Sequence, residues 1–216
     1  MKSKIVITII IIALLALPIT GCASSGISGN NEFADKDFSF MADLSEFPQA
    51  DMSGYEGLKD YKGEGPLPFV DVTVQDIHKL MKDNESFVLF VSFANCPWCN
   101  AVITQFVEVM NEAGVTAANL NTRKNPAWSS NIDIDDYNMF VEDFYDYIEY
   151  DSEGIKHLYV PHVFFVKEGV VVHEHQGALA EMGSDPNMEL TKEQNEALKD
   201  IYREGLKKIL EDWPTR

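Results

Sequence analysis

Cys96-Pro97-Trp98-Cys99 stands where an apolar run gives way to a helical pattern, and this junction constrains the chain more than any other feature. Residues 87–93, Phe-Val-Leu-Phe-Val-Ser-Phe, have the composition of a buried strand. Residues 100–113 follow with Val102, Phe106, Val109 and Ala113 at helical spacing. Two cysteines in C-x-x-C spacing at a strand-to-helix junction can close a small disulfide, and the positive end of the helix favours the thiolate of the first. The spacing predicts dithiol–disulfide chemistry.

The N-terminus predicts where that chemistry takes place. Lys2 and Lys4 form a short basic region, and residues 5–17 are apolar apart from Thr8. So short an apolar run, with small residues before its end, has the pattern of an export signal rather than a membrane span. Ile19-Thr20-Gly21-Cys22 resembles the lipobox of bacterial lipoproteins. That resemblance implies a signal peptide over residues 1–21, cleavage before Cys22, a lipid on Cys22 and residence outside the cytoplasmic membrane. An uncleaved N-terminal anchor is the other reading, and it places the folded part on the same side.

With Cys22 assigned to lipid, Cys96 and Cys99 are the only thiols left. An exported domain stapled by structural disulfides carries more cysteines at wider spacing. A loop as short as this one gains little from closure, so a functional couple fits better than a staple. The chain has a net charge of −18, and removing residues 1–21 takes away two lysines and no acids, leaving about −20. Such a balance speaks against nucleic-acid binding. It reads as a well-solvated surface, or less directly as a preference for basic clients.

Residues 22–67 read as a lipidated tether, small and polar at first and then punctuated by Gly54, Gly57, Gly63, Gly65 and Pro66. A flexible linker of that length would reach about 35–40 Å. Phe33, Phe38, Phe40 and Phe47 are its candidates for local packing on the domain. Residues 68–216 form the expected domain. Strands are expected at 69–72, 87–93 and 115–120, with helices at 74–83 after Thr73, from the cysteines to Gly114, and at 135–150. Residues 121–133 read as a loop. Residues 160–167 and 170–175 are strands joined by Glu168-Gly169, a turn short enough to make an antiparallel hairpin. Thr191 opens a last helix to about Leu210. Alternation followed by a hairpin predicts an α/β domain with a mixed central sheet and helices on both faces.

Across roughly residues 68–212 the chain resembles the thioredoxin-fold family. Three segments carry the resemblance: Cys96-Pro97-Trp98-Cys99 after an apolar strand, Val160-Pro161 leading into Val163-Phe164-Phe165-Val166-Lys167-Glu168-Gly169, and Gly177-Ala178-Leu179 after the hairpin. The resemblance implies that Cys96 is the nucleophile, Cys99 the resolving thiol, and Cys96-Cys99 a redox-active disulfide. Pro97 suits a first helical turn, Trp98 shields the pair or meets a client, and Asn95 flanks the motif. Pro161 would be cis and beside the cysteines, with Val160 offering its backbone to an extended client.

The sequence also departs from the family. Asn95 stands where thioredoxins have Trp, and Pro-Trp replaces Gly-Pro between the cysteines. The buried Asp of thioredoxins is replaced by an apolar residue at or near Phe90, leaving Ser92, Asn95 or water to handle the proton of the resolving thiol. The C-P-x-C form is shared with glutaredoxin-like and oxidant-type relatives, so the motif does not set the direction of electron flow. A helical insertion around residues 121–150 precedes the cis-proline strand.

The expectation is a membrane-anchored extracytoplasmic thiol–disulfide oxidoreductase with no cofactor, and reduction of client disulfides is the preferred direction. Its partners would be proteins with disulfides or thiols, the membrane through Cys22, and a membrane redox protein that recycles the pair. Two other classes remain. One is a Cys/His metal site drawing on Cys96, Cys99, His162 or His173, although no second C-x-x-C or H-x₃₋₅-H spacing accompanies them and no metal ligand is assigned. The other is a thioredoxin-fold accessory module that binds through the aromatic stretch 137–150. His173 and His175 share one face of a strand, and His162 is the histidine expected nearest the cysteines.

Overall fold

The computed structural model describes residues 31–63, 66–124 and 129–212. The expected signal segment, Cys22 and the Asn125-Pro126 part of the expected loop lie outside them. The main sheet holds β1 (Phe69–Asp71), β2 (Phe87–Ser92), β3 (Ala117–Asn121), β8 (His162–Lys167) and β9 (Val170–Gln176), in the order β1-β3-β2-β8-β9. The β1–β3 and β3–β2 pairs are parallel, and β2–β8 and β8–β9 are antiparallel. With Val160–Pro161 cis before β8 and the cysteines at the start of a helix after β2, this is the expected thioredoxin topology.

Each helix begins where the sequence supplies a cap. Thr73 and Asp76 form a reciprocal capping box for α1 (Val74–Lys82), and Thr191 and Gln194 do the same for α4 (Lys192–Leu210). α2 (Pro97–Ala113) has Cys96 as its N-cap and proline in its first turn. α2 and α4 pair on one face of the sheet, α1 and α3 (Ile134–Asp143) on the other.

Alternation along β2 serves both layers. Val88 and Phe90 face α2 and α4, with Phe106, Leu198 and Tyr202, whereas Phe87, Leu89 and Val91 face α1 and α3, with Ile77, Phe140 and Phe144. β2 is buried along its whole length, as a strand covered by helices on both faces must be.

Two regions differ from the expectation. The helix expected at 135–150 ends at Asp143 and gives way to a 3-10 turn at Tyr145–Tyr147. The small hairpin of β6 (Glu149–Tyr150) and β7 (Lys156–His157) follows. Glu142, Asp143 and Asp146 crowd the end of α3, where negative charge opposes the helix dipole. The Lys156 ammonium instead donates to the carbonyls of Tyr145 and Ile148 at 2.8 and 2.6 Å, holding the turn. Phe140, Phe144 and Ile148 are buried, so much of the aromatic stretch completes the core. The expected loop itself carries two short paired strands, β4 (Arg123–Lys124) and β5 (Ser129–Ser130).

The second difference concerns the expected tether. From Asn31 onward the chain belongs to one compact unit with the domain, so the boundary lies near 30 rather than 67. Phe33, Leu44, Ala50, Met52 and Tyr55 are buried, and the stretch lacked periodicity because it lies across the surface as an irregular strap. Gly57 shows how close it comes: its N–H donates to Asn100 Oδ1 at 2.9 Å and its carbonyl accepts from Thr104 Oγ1 at 2.7 Å. A Cβ at Gly57 would sit 2.2 Å from the Asn100 carbonyl oxygen, so no larger residue fits.

Gly205 gives a test of packing against propensity. Inside a helix, Gly→Ala ordinarily gains about 1 kcal/mol, yet a Cβ at Gly205 would lie 2.4 Å from the Phe165 ring. Overpacking of a close core contact costs about 1–3 kcal/mol and outweighs that gain. The Gly205→Ala variant is expected to unfold at lower urea concentration with an unchanged slope; a raised midpoint would contradict this packing.

Candidate active site

The cysteines are joined in a disulfide with Cα atoms 5.2 Å apart. Cys96 is extended (φ −74°, ψ 116°), the conformation of an N-cap, and its sulfur accepts the backbone N–H of Cys99 at 3.1 Å. The same N–H and the positive end of α2 lie ready to stabilise negative charge on this sulfur once the disulfide is opened. Asn95 before it adopts a left-handed conformation (φ 62°), which asparagine tolerates better than most residues, and its side chain is exposed. Pro97 is exposed, and Trp98 is half-buried and packs on the core beneath the helix.

Cys99 is fully buried and Cys96 is only 3% exposed. The sequence distinguishes the two by solvent access; the structure distinguishes them by the capping bond and by what lies across the gap. The carbonyl oxygen of Val160 is 3.9 Å from Cys96 Sγ. The motif and the Val160-Pro161 segment, 64 residues apart, are thus side by side.

His162 is not delivered to the sulfurs. Alternation along β8 sends Val163 and Phe165 to the cysteine face, and His162 and Phe164 to the other. The imidazole is buried, stacks on Phe164 with centroids 4.0 Å apart, and its Nε2 lies 2.7 Å from Glu174 Oε2. His173 and His175 do share the α4 face, beside Phe165 and Tyr202 respectively. No three His, Cys, Asp or Glu side chains converge as a metal-holding group among the described residues.

Position 90 is apolar as expected, and the polar group on that face is Ser92, which is fully buried. Its hydroxyl donates to Asn119 Oδ1 at 3.1 Å, and Asn119 Nδ2 donates to Asp71 Oδ1 at 2.9 Å. With the serine proton so committed, the Tyr55 hydroxyl 2.7 Å away must be the donor to Ser92 Oγ. Burial pushes the Tyr55 phenol up to about 12. Sequence reasoning missed Tyr55 because it stands in the stretch read as tether, and only the closely spaced glycines at 54 and 57 mark it as a close approach.

No family model matches the chain, and no curated protein matches it. Solved structures similar to it include a putative oxidoreductase with a thioredoxin fold, at 13% identity over 51% of this chain and 83% of that one, TM-score 0.37. Thioredoxin from Trypanosoma brucei brucei matches at 14% identity over 68% of this chain and 99% of its own, TM-score 0.37. Thioredoxin from Aeropyrum pernix matches at 19% identity over 50% of this chain and 74% of its own, TM-score 0.32. Likeness this slight carries no conclusion about what the chain does; the strand order and the site geometry stand on their own.

The His175 imidazole sets a pH dependence of stability. Burial holds the His175 imidazole below its ordinary value of 6.5, with Glu174 opposing and His173 and His162 reinforcing the effect. Below 6.5 the unfolded chain takes up a proton that the folded chain resists, so this contribution is complete above that pH and falls as acid is added. The hydrogen bond from His162 holds the Glu174 carboxyl below its ordinary 4.5, so its contribution is lost lower still. Unfolding free energy is therefore expected to decline from pH 7 to pH 5, and His175→Gln to flatten that decline. Denaturant titrations across the range that gave parallel profiles for both proteins would refute it.

Proposed function

We propose that this chain is a membrane-anchored extracytoplasmic thiol–disulfide oxidoreductase that acts on proteins through Cys96 and Cys99. The observation that carries this reading is the capped sulfur of Cys96 facing the carbonyl of Val160. One group stabilises a thiolate, and the other belongs to a backbone segment beside which an extended client can lie. The lipid on Cys22 rests on the sequence pattern alone.

In the reducing direction, the Cys96 thiolate attacks one sulfur of a client disulfide. The S–S bond breaks, the second client sulfur leaves as a thiolate and takes a proton, and a mixed disulfide remains. Cys99 then gives up its proton and attacks Cys96 Sγ, breaking the mixed disulfide and releasing the client sulfur held in it, which leaves as a thiolate and takes up a proton. Two electrons have passed to the client, and the Cys96–Cys99 disulfide is formed. Burial of Cys99 keeps this second attack internal and shields it from competing thiols. A membrane-resident dithiol protein must then reduce the pair. In the oxidising direction every step reverses, and a disulfide-bearing partner takes the electrons. Reduction remains the preferred direction.

Replacing Cys99 with Ala removes the resolving thiol and is expected to accumulate mixed disulfides between Cys96 and envelope proteins, which disappear in the Cys96→Ala,Cys99→Ala protein. Absence of any Cys96-dependent adduct, together with tight metal binding by the reduced protein, would overturn the proposal. The reduction potential separates the directions: a value near −270 mV marks a reductase and one near −120 mV an oxidant. A Cys22→Ala protein that still fractionates with the membrane would remove the lipid anchor from the proposal.

A further inference from the structure

The strap lies against both flanks of the redox motif. A Cβ at Gly54 would stand 2.7 Å from the Cβ of Ala94, two residues before Cys96. A Cβ at Gly57 would meet the carbonyl oxygen of Asn100, the residue after Cys99, at 2.2 Å. Between the two glycines, Tyr55 is buried and reaches Ser92 at the end of β2. Residues 54–57 of the strap thus run alongside the loop and the first helical turn that carry the cysteines.

Asn100 turns this contact into a link to Cys96. Its side-chain Nδ2 donates to the Cys96 carbonyl at 2.8 Å, and its Oδ1 accepts the Gly57 N–H at 2.9 Å. The same carbonyl also takes the Asn100 backbone N–H at 3.0 Å, the first bond of the helical ladder. One turn further on, Thr104 Oγ1 donates to the Gly57 carbonyl at 2.7 Å. Gly57 is therefore held through both its N–H and its carbonyl by one face of α2. Asparagine is a poor residue inside a helix because its amide competes for backbone partners. Here one end of that amide is spent on the strap and the other on the residue that bears the sulfur.

We propose that Asn100 is a positioning residue through which the strap holds Cys96 in its helix-capping conformation once the disulfide is open. The inference rests on the oxidoreductase reading and concerns how that site keeps its reactivity. In the oxidised protein the Cys96–Cys99 bond itself fixes the sulfur. Reduction removes that covalent tie, and a negative sulfur is stabilised while it stays against the Cys99 N–H and the positive end of α2. Rotation about the Cys96 backbone (ψ 116°) would carry it away. The amide bond on the Cys96 carbonyl opposes that rotation, and the strap keeps the amide in place through Gly57. The strap thereby favours the reduced form and makes the pair less reducing than it would be without the link.

The test uses the full-length lipidated protein in neutral detergent at neutral pH, equilibrated with glutathione and glutathione disulfide. The protein dithiol and one glutathione disulfide exchange for the protein disulfide and two glutathione molecules, and the fraction of reduced protein gives the equilibrium constant. Asn100→Ala is expected to shift it roughly three- to tenfold toward the protein disulfide, the effect of one hydrogen bond, which corresponds to a potential about 14–30 mV more negative. Thr104→Val, which releases the Gly57 carbonyl and leaves Asn100 in place, is expected to shift it the same way by about twofold or more. Asn31→Ala, which frees the strap from the Glu112 carbonyl at the other end of α2, is expected to leave it unchanged. Near-ultraviolet circular dichroism establishes that each variant is folded, and if Asn100→Ala is not, Thr104→Val decides. An unchanged constant in a folded Asn100→Ala or in Thr104→Val, or an equal shift in Asn31→Ala, overturns the inference while leaving the oxidoreductase in place. A wild-type dithiol that does not exchange with glutathione disulfide overturns both.

Discussion

Val91 pairs with His162 and Phe90 with Val163, and this antiparallel register between β2 and β8 decides what stands opposite the cysteines. β2 ends at Ser92, four residues before Cys96, and β8 begins one residue after Pro161. Locking the two strands side by side therefore brings the capped sulfur and the Val160 carbonyl together without any direct bond between motif and loop. The register is secured on both faces, since a shift of one residue would exchange Phe90 and Val163 with Val91 and His162 between two differently shaped layers. The stacked rings of Phe90 and Phe106 on one side, and the tilted ring pair of Phe144 and Phe164 on the other, hold the strands in place.

The polar chain from Tyr55 to Asp71 belongs to the same logic. A buried serine hydroxyl on the cysteine-bearing strand needs partners, and it receives them from two directions: the strap in front and the neighbouring strand β3 behind. The strap is thereby held to the strand that carries the motif as well as to the first turns of α2. On the face of β2 shared with the apolar Phe90, the domain keeps a neutral hydrogen-bonded chain ending on the carboxylate of Asp71 at the sheet's edge strand.

Most of the framework was legible because its signals are local. Thr73 and Thr191 mark helix starts through side chains that reach only three residues ahead, and Glu168-Gly169 permits one kind of reversal. The cis-proline segment was found through its order relative to the motif. The acidic helix was overextended because its periodicity continues past Asp143: Phe140, Phe144 and Ile148 are all buried, but the last of them reaches the core through a turn. The strap was illegible for the opposite reason. Its buried residues, Phe33, Leu44, Met52 and Tyr55, follow no period, since each is placed by the surface beneath it and not by an element of its own. Adjacency to Pro161 does not say which face His162 takes; the register sends its ring to the Phe164 side, away from the face that carries the cysteines.

The first described residues of the strap are themselves fixed. Asn31 Nδ2 donates to the Glu112 carbonyl at 2.8 Å, and Glu32 meets Arg203 and Lys207 beside it. Glu112 is in the last turn of α2, whereas Cys96 caps the first, and a helix of 17 residues spans roughly 25 Å. The strap therefore begins at one end of α2 and the dithiol sits at the other, so the same helix that presents the sulfurs also seats the start of the strap a full helix length away from them.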